Sequence, residues 1–348
     1  MFSFLRPYIF TLDPEVAHDL AIKSLKFNFM PNFFFQVDDE EMLSTELFKK
    51  KLKNPIGLAA GFDKSAEVYN SLFKLGFGFV EVGTVTPKRQ LGNPKPRVFR
   101  LEKDRALINR LGFNNDGIDS VSKRLMQNIP DEFLGINIGP NKDTKDKVLD
   151  FLECFNKLNK FASYITVNIS SPNTIGLRDF HDGKLLSKLL SKLLELKKKN
   201  KITCPIALKI SPDIGEDEIT NINEIILKFK IDGIILTNTT NQNRDSLIDS
   251  NKNETGGLSG QPLQKLSIKF IKNFYKSNKG KIPIIGVGGI DSGKSAFEKI
   301  MAGATVVQLY TGMVYKGPGI VKDIKRELIE ILKKEKIKNI QQAIGINS

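Results

Sequence analysis

The 348-residue chain has no tryptophan, two cysteines and two histidines. Cys154 and Cys204 can build neither a disulfide framework nor a four-ligand zinc site. His18 and His181 lie far apart in sequence, so no metal site is expected and Ser–His–acid chemistry is disfavoured. Arginine is scarce as well: ten of the 53 basic residues, the rest lysine. Surfaces that read bases favour arginine. The net charge of +14, spread over stretches such as 184–201, therefore reads as a solvated basic surface. Attraction to anionic lipid comes next, and no nucleic-acid partner is expected. No apolar run reaches the roughly 18 residues of a membrane span. The N-terminus lacks the apolar core and cleavage site of a signal peptide, so the bulk of the chain is expected in the cytoplasm. Neither a GKS/GKT phosphate loop nor a GxGxxG turn after the first strand occurs, which argues against resident ATP or NAD.

What is present is a rhythm. Eight short apolar, β-branched runs occur at 55–60, 77–85, 133–139, 164–170, 205–211, 233–238, 282–289 and 305–311. Segments of helical periodicity follow them, near 64–75, 116–128, 146–161, 184–200, 216–229, 262–278, 292–301 and 318–335. Apolar strands separated by helices form a parallel sheet covered on its faces. Eight such units predict an α/β fold, a (β/α)8 TIM barrel, with a doubly wound open sheet as the competing arrangement. Two insertions, 86–115 (with a strand-like RVFRL) and 239–260, are long enough to be active-site loops. The first 35 residues stand outside the rhythm. Asp13 reads as a helix N-cap with Pro14 behind it. Val16, Leu20, Ala21 and Leu25 mark an apolar face, and phenylalanine-rich FNFM and FFF follow at 27–30 and 33–35. This predicts a small N-terminal helical element over 1–40 and a barrel over 41–348.

Barrel sites lie at the carboxyl ends of the strands. There this sequence is polar or glycine: Ala60, Gly61 and Lys64; Gly83 and Thr84; Asn137; Asn168 and Ser171; Lys209; Thr237, Asn238 and Thr239; Gly288 and Gly289; Tyr310 and Thr311. The pattern suits a planar heterocyclic cofactor with a phosphate tail. GVGG (286–289), with Asp291 read as the start of the next helix, joins YTG and the SG at 259–260 as a phosphate site. A lysine ending a buried strand, Lys209, needs an anion; a reduced flavin is a natural partner, with a structural lysine–carboxylate pair as the alternative. Asparagines from NRLGFNN (109–115), NISSPNT (168–174) and TNTT (237–240) suit the amide edges of a flat polar ring.

Taken in order, AAGFDK (59–64), GTVTP (83–87), NRLGFNN, INIG (136–139), NISSPNT, TNTT, ETGGLSG and IIGVGGI (284–290) resemble dihydroorotate dehydrogenase in its quinone-linked, membrane-associated class. The resemblance runs from about residue 6 to about residue 335. It implies an FMN-bearing barrel that oxidises dihydroorotate to orotate in pyrimidine synthesis, with a membrane quinone as acceptor. By motif, Ala60, Gly61, Phe62, Asp63, Lys64, Thr84, Asn137, Asn168, Lys209, Thr237, Gly260, Gly289, Tyr310 and Thr311 would hold FMN. Lys64, Asn109, Arg110, Leu111, Gly112, Phe113, Asn168, Asn173, Asn238 and Thr239 would line the substrate. Ser171 would be the catalytic base, with Thr174 in its proton relay and Phe113 walling it from solvent. The soluble classes are expected to carry cysteine where Ser171 stands, and to lack the element resembling residues 6–18. His18 and Arg100, with Tyr310 nearby, would approach the quinone head. The resemblance further implies peripheral contact with lipid at the cytoplasmic face of the cell membrane. The rival reading is an FMN barrel of the tRNA dihydrouridine synthase type.

Overall fold

The computed structural model describes residues 2–27, 39–174, 176–242 and 244–348. Beyond Phe27, the phenylalanine-rich stretch singled out above lies outside the described residues. Helices α1 (Phe2–Phe10) and α2 (Pro14–Lys26) come first, then a hairpin of β1 (Thr45–Leu47) and β2 (Lys50–Leu52). The barrel proper begins with β3 (Ile56–Leu58), α3 (Tyr69–Lys74) and β4 (Phe79–Val85). The first insertion supplies β5 (Val98–Leu101) and β6 (Ala106–Asn109). Next come α4 (Ile118–Gln127), β7 (Leu134–Ile138), α5 (Lys147–Leu158), β8 (Tyr164–Asn168) and α6 (Gly183–Lys199). They are followed by β9 (Ile206–Lys209), α7 (Glu216–Phe229) and β10 (Gly233–Leu236). The second insertion ends in β11 (Gly257–Gly260). Then α8 (Gln264–Asn278), β12 (Ile284–Val287), α9 (Gly293–Met301), β13 (Val306–Leu309), α10 (Thr311–Lys316) and α11 (Ile320–Lys334) complete the chain's larger elements.

Strands β3, β4, β7, β8, β9, β10, β12 and β13 pair in parallel, and β13 returns to β3. All eight apolar runs are barrel strands, and closure excludes the open sheet. Helix α6 illustrates how the outer ring forms. Asp182 accepts hydrogen bonds from Lys184 N and Leu185 N, Leu186, Leu189, Leu190 and Leu193 are buried at helical spacing, and Lys197–Lys199 face the negative end of the helix dipole.

Two helix starts differ from the sequence expectation. Helix α3 begins at Tyr69 rather than near 64, because the Asp63 carboxylate accepts from Glu67 N and Val68 N and holds 64–68 as turns. Helix α9 is capped by Ser292, whose hydroxyl accepts from Ser295 N, so Asp291 stands one residue outside the cap.

The amino end of the barrel is plugged. Phe79, Tyr164, Ile235, Ile285 and Val306 pack with Leu47 and Leu52 of the hairpin in one apolar cluster. Small residues make room for large ones: a Cβ on Gly57 would fall 2.3 Å from the Phe79 ring, and one on Gly135 2.3 Å from that of Tyr164. The plug leaves the opposite end for chemistry. There β5, β6 and β11 form a separate antiparallel sheet, which joins the two insertions. Among the described residues, no helix is long and apolar enough to cross a membrane.

Candidate functional site

A cavity of about 270 Å³ opens at the carboxyl ends of the strands. Its lining includes Ala60, Gly61, Lys64, Thr84, Asn109, Leu111, Gly112, Phe113, Asn168, Ser171, Asn173, Lys209, Thr237, Asn238, Thr239, Gly260, Gly289, Tyr310 and Thr311. The polar strand ends picked out along the sequence thus meet around one space. Phe62, Asp63, Asn137, Arg110, His18 and Arg100 do not line it. Cys154 and Cys204 are buried elsewhere.

The cavity floor rests on a buried acid. Glu81 accepts from Asn137 Nδ2 (2.8 Å), Tyr164 Oη (2.8 Å), Thr166 Oγ1 (3.0 Å) and Gln308 Nε2 (3.1 Å). Asn137 in turn accepts from Thr84 Oγ1 at 2.7 Å and from Asn168 Nδ2 at 3.2 Å. Asn137 therefore acts from behind Thr84 and Asn168. Lys209 pairs in register with Asn168 and is buried, yet no hydrogen bond or ion pair reaches its ammonium among the described residues. Burial lowers its pKa, and the field of Glu81 opposes the shift. Sequence reasoning passed over Glu81, although a lone acid inside FGFVEVGTV was the signal.

The β8 loop brings the Ser171 hydroxyl to one wall. Ser171 is buried and its Oγ accepts from Asn173 N at 3.2 Å. Ser170, which sequence reasoning did not single out, donates to Asn168 Oδ1 (2.7 Å) and accepts from Asn238 Nδ2 (2.8 Å). Asn173 reaches across to Asn109 O at 3.1 Å. Phe113 packs so closely on Gly139 that a Cβ there would meet its ring at 2.9 Å. Arg110 turns to Glu254 (2.9 Å) and stacks over Phe99.

At the other end, Gly288 and Gly289 adopt positive φ. A Cβ on Gly289 would lie 2.6 Å from Gln264 Cβ, so only glycine brings this backbone so near the cavity. Among the described residues, nothing accepts from the N–H groups of Gly288, Gly289 or Ile290. Opposite, the Ser259 and Thr311 hydroxyls lie 2.8 Å apart.

The N-terminal helices approach through Lys64. Its Nζ stands 3.4 Å from His18 Nε2. Desolvation, with the Lys64 charge second, lowers the His18 pKa to about 3, while burial lowers that of Lys64 to about 8. The His18 ring packs edge-on to Phe62, and Phe62 edge-on to Tyr310, at 5.1 and 5.9 Å between centroids. Helix α2 is tied down by Glu15, which receives Arg97 Nε at 3.0 and 3.1 Å and Nη2 at 2.8 Å. Arg100 donates to Phe10 O and Leu12 O and covers the Phe10 ring.

Fold and cavity define a (β/α)8-barrel enzyme with its site at the carboxyl rim. The family model described as dihydroorotate dehydrogenase matches residues 42–332. The chain is 43% identical to a dihydroorotate dehydrogenase (quinone) of Bradyrhizobium diazoefficiens, over 98% of this chain and 94% of that one. It is 44% identical to the mitochondrial dihydroorotate dehydrogenase (quinone) of Mus musculus, over 97% and 87%. A crystal structure of the Eimeria tenella enzyme in complex with ferulenol superposes with a TM-score of 0.91 at 40% identity, covering 96% of both chains. The chain belongs to the dihydroorotate dehydrogenase family, a family of oxidoreductases, and this membership implies a flavin cofactor. The tRNA-modifying alternative is set aside by that match.

Proposed function

We propose that this protein oxidises dihydroorotate to orotate in pyrimidine synthesis and delivers the electrons to a membrane quinone, with FMN as its flavin. The observation that carries the reading is that Ser171, Lys209 and the glycine turn at 288–289 face one cavity. The residues fit FMN. The partnerless Lys209 ammonium suits an electron-rich flavin edge, and the free N–H groups of 288–290 suit a phosphate. Ala60, Gly61, Thr84, Asn168, Thr237, Gly260, Tyr310 and Thr311 would complete the cradle, with Phe62, Asp63 and Asn137 supporting it from behind. Bound there, FMN supplies a two-electron acceptor for the substrate and a donor for the quinone.

The chain's own residues supply the rest. Ser171 Oγ takes the proton leaving C5 of dihydroorotate. A serine hydroxyl is a weak base, so it depends on a fixed orientation and on a path for the proton, for which the buried Thr174 hydroxyl is the nearest in the motif. Asn109, Asn173, Asn238 and Thr239 orient the ring through its amide edges, and Leu111, Gly112 and Phe113 exclude water. Lys64 neutralises the substrate carboxylate. Arg110, the other cation placed among the substrate-lining residues, pairs instead with Glu254 and does not line the cavity.

Residues 1–40 form the membrane and quinone-access element, and 41–348 the catalytic barrel. Exposed Phe4, Leu5, Tyr8 and Leu20 give α1 and α2 an apolar surface suited to peripheral contact with lipid at the cytoplasmic face. His18, Arg100 and Tyr310 border the quinone path. Ser171→Ala tests the assigned base. The variant should retain FMN and lose dihydroorotate oxidation by about 100-fold or more at neutral pH; turnover like that of the unaltered protein would remove Ser171 from the role.

A further inference from the structure

The loops that carry Ser171 and Asn238 share an anchor outside the cavity lining. It is Asp213, on the loop after β9, with a side chain only 5% exposed. Its carboxylate receives a cation from the loop after β8: Arg178 Nη2 lies 3.0 Å from Oδ2. It also receives two donors from the loop after β10. The Thr240 hydroxyl donates to Oδ1, and Asn241 N donates to Oδ2 at 2.8 Å. Arg178 is tied onward, since its Nε donates to the carbonyl of Ser170 at 3.3 Å, one residue before Ser171. Thr240 is tied as well, through a backbone bridge to Leu258 of the insertion sheet. None of Asp213, Arg178 or Thr240 lines the cavity.

We propose that Asp213 is a positioning residue. It clamps the β8 and β10 loops to the β9 loop and so fixes the Ser171 hydroxyl and the Asn238 amide relative to each other. The physical reason is the cost of a nearly buried carboxylate. It must be matched by a cation or by donors, and here both come from the two loops whose relative placement decides whether a weak base reaches a C–H proton. Ser170 closes the circuit, because its carbonyl holds Arg178 while its hydroxyl holds Asn238. The clamp rests on the reaction proposed above, in which Ser171 takes a proton from the substrate.

The test separates the two half-reactions in the holoenzyme. Asp213→Asn keeps one acceptor oxygen, which can serve the Asn241 N–H while the Thr240 hydroxyl turns to accept from the new amide, and removes the charge facing Arg178. Flavin reduction by dihydroorotate, followed anaerobically by rapid mixing, should slow by about 10- to 100-fold, the scale of a 1 Å misplacement. FMN content and the rate of flavin reoxidation by quinone should be unchanged. Arg178→Lys should retain more reduction rate than Arg178→Gln, and this pair carries the test if Asp213→Asn does not fold. Reduction within twofold of the unaltered enzyme overturns the clamp. So does a parallel fall in FMN content and reoxidation, which would mark a merely structural role. An unaltered enzyme whose flavin is not bleached by dihydroorotate would instead count against the substrate reading.

Discussion

A lysine at the end of a buried strand, with no partner among the described residues, shows how single positions set this chemistry. Lys209 and Lys64 both line the cavity, and burial lowers the pKa of each. The shift of Lys64 to about 8 has a kinetic consequence. Its ammonium is present below that pH and lost above it. If it neutralises the substrate carboxylate, kcat/KM for dihydroorotate should fall as pH rises through about 8, because this parameter follows the free enzyme. A Lys64→Met variant should lose that limb of the profile, whereas an unchanged limb would assign the titration elsewhere. At this scale the strand ends were legible, because polar residues after apolar runs break the local pattern. Glu81 was not picked out, since its four donors come from β7, β8 and β13, which only closure of the barrel brings together. Arg97 was missed for the same reason: its partner Glu15 lies 82 residues earlier in the chain.

Between elements, the docking of α2 onto the first insertion rests on that pair. Arg97 also donates to Leu91 O and Asn93 O, so one guanidinium organises the loop and holds the helix. Removing one partner of a nearly buried ion pair leaves the other uncompensated. Glu15→Ala should therefore weaken docking of residues 2–26 by about 3 kcal/mol, the lower end of that range because Arg97 keeps two carbonyl partners. Hydrogen exchange should quicken in α1 and α2 with little change in the barrel strands, and quinone reduction should fall more than flavin reduction by dihydroorotate. Uniform exchange along the chain would contradict this. The elements themselves were unequally readable. Asp13 and Pro14 announced α2, and Asp13 does accept from Glu15 N and Val16 N. Strand β11 was hidden, because GLSG owes its strand character to pairing with β6, far earlier in the chain, rather than to local alternation; ALIN of β6 was passed over although it forms a hairpin with the strand-like RVFRL of β5. The β1–β2 hairpin escaped notice likewise, its apolar face made useful only by the barrel end it covers.

For the molecule as a whole, the eightfold rhythm pointed to the barrel, the pairing of β13 with β3 excluded the open sheet, and the closed barrel brings its strand ends together by geometry. The +14 charge did not have to be assigned to a partner for this to hold. The central claim is that one flavin in this cavity serves dihydroorotate on one side and quinone on the other. The most direct measurement is the flavin absorbance of the purified protein under anaerobic mixing with dihydroorotate, followed by ubiquinone or fumarate. The account predicts bleaching in a single stoichiometric turnover, then recovery with ubiquinone and none with fumarate. A flavin that dihydroorotate leaves oxidised, or one that fumarate restores and ubiquinone does not, would contradict it.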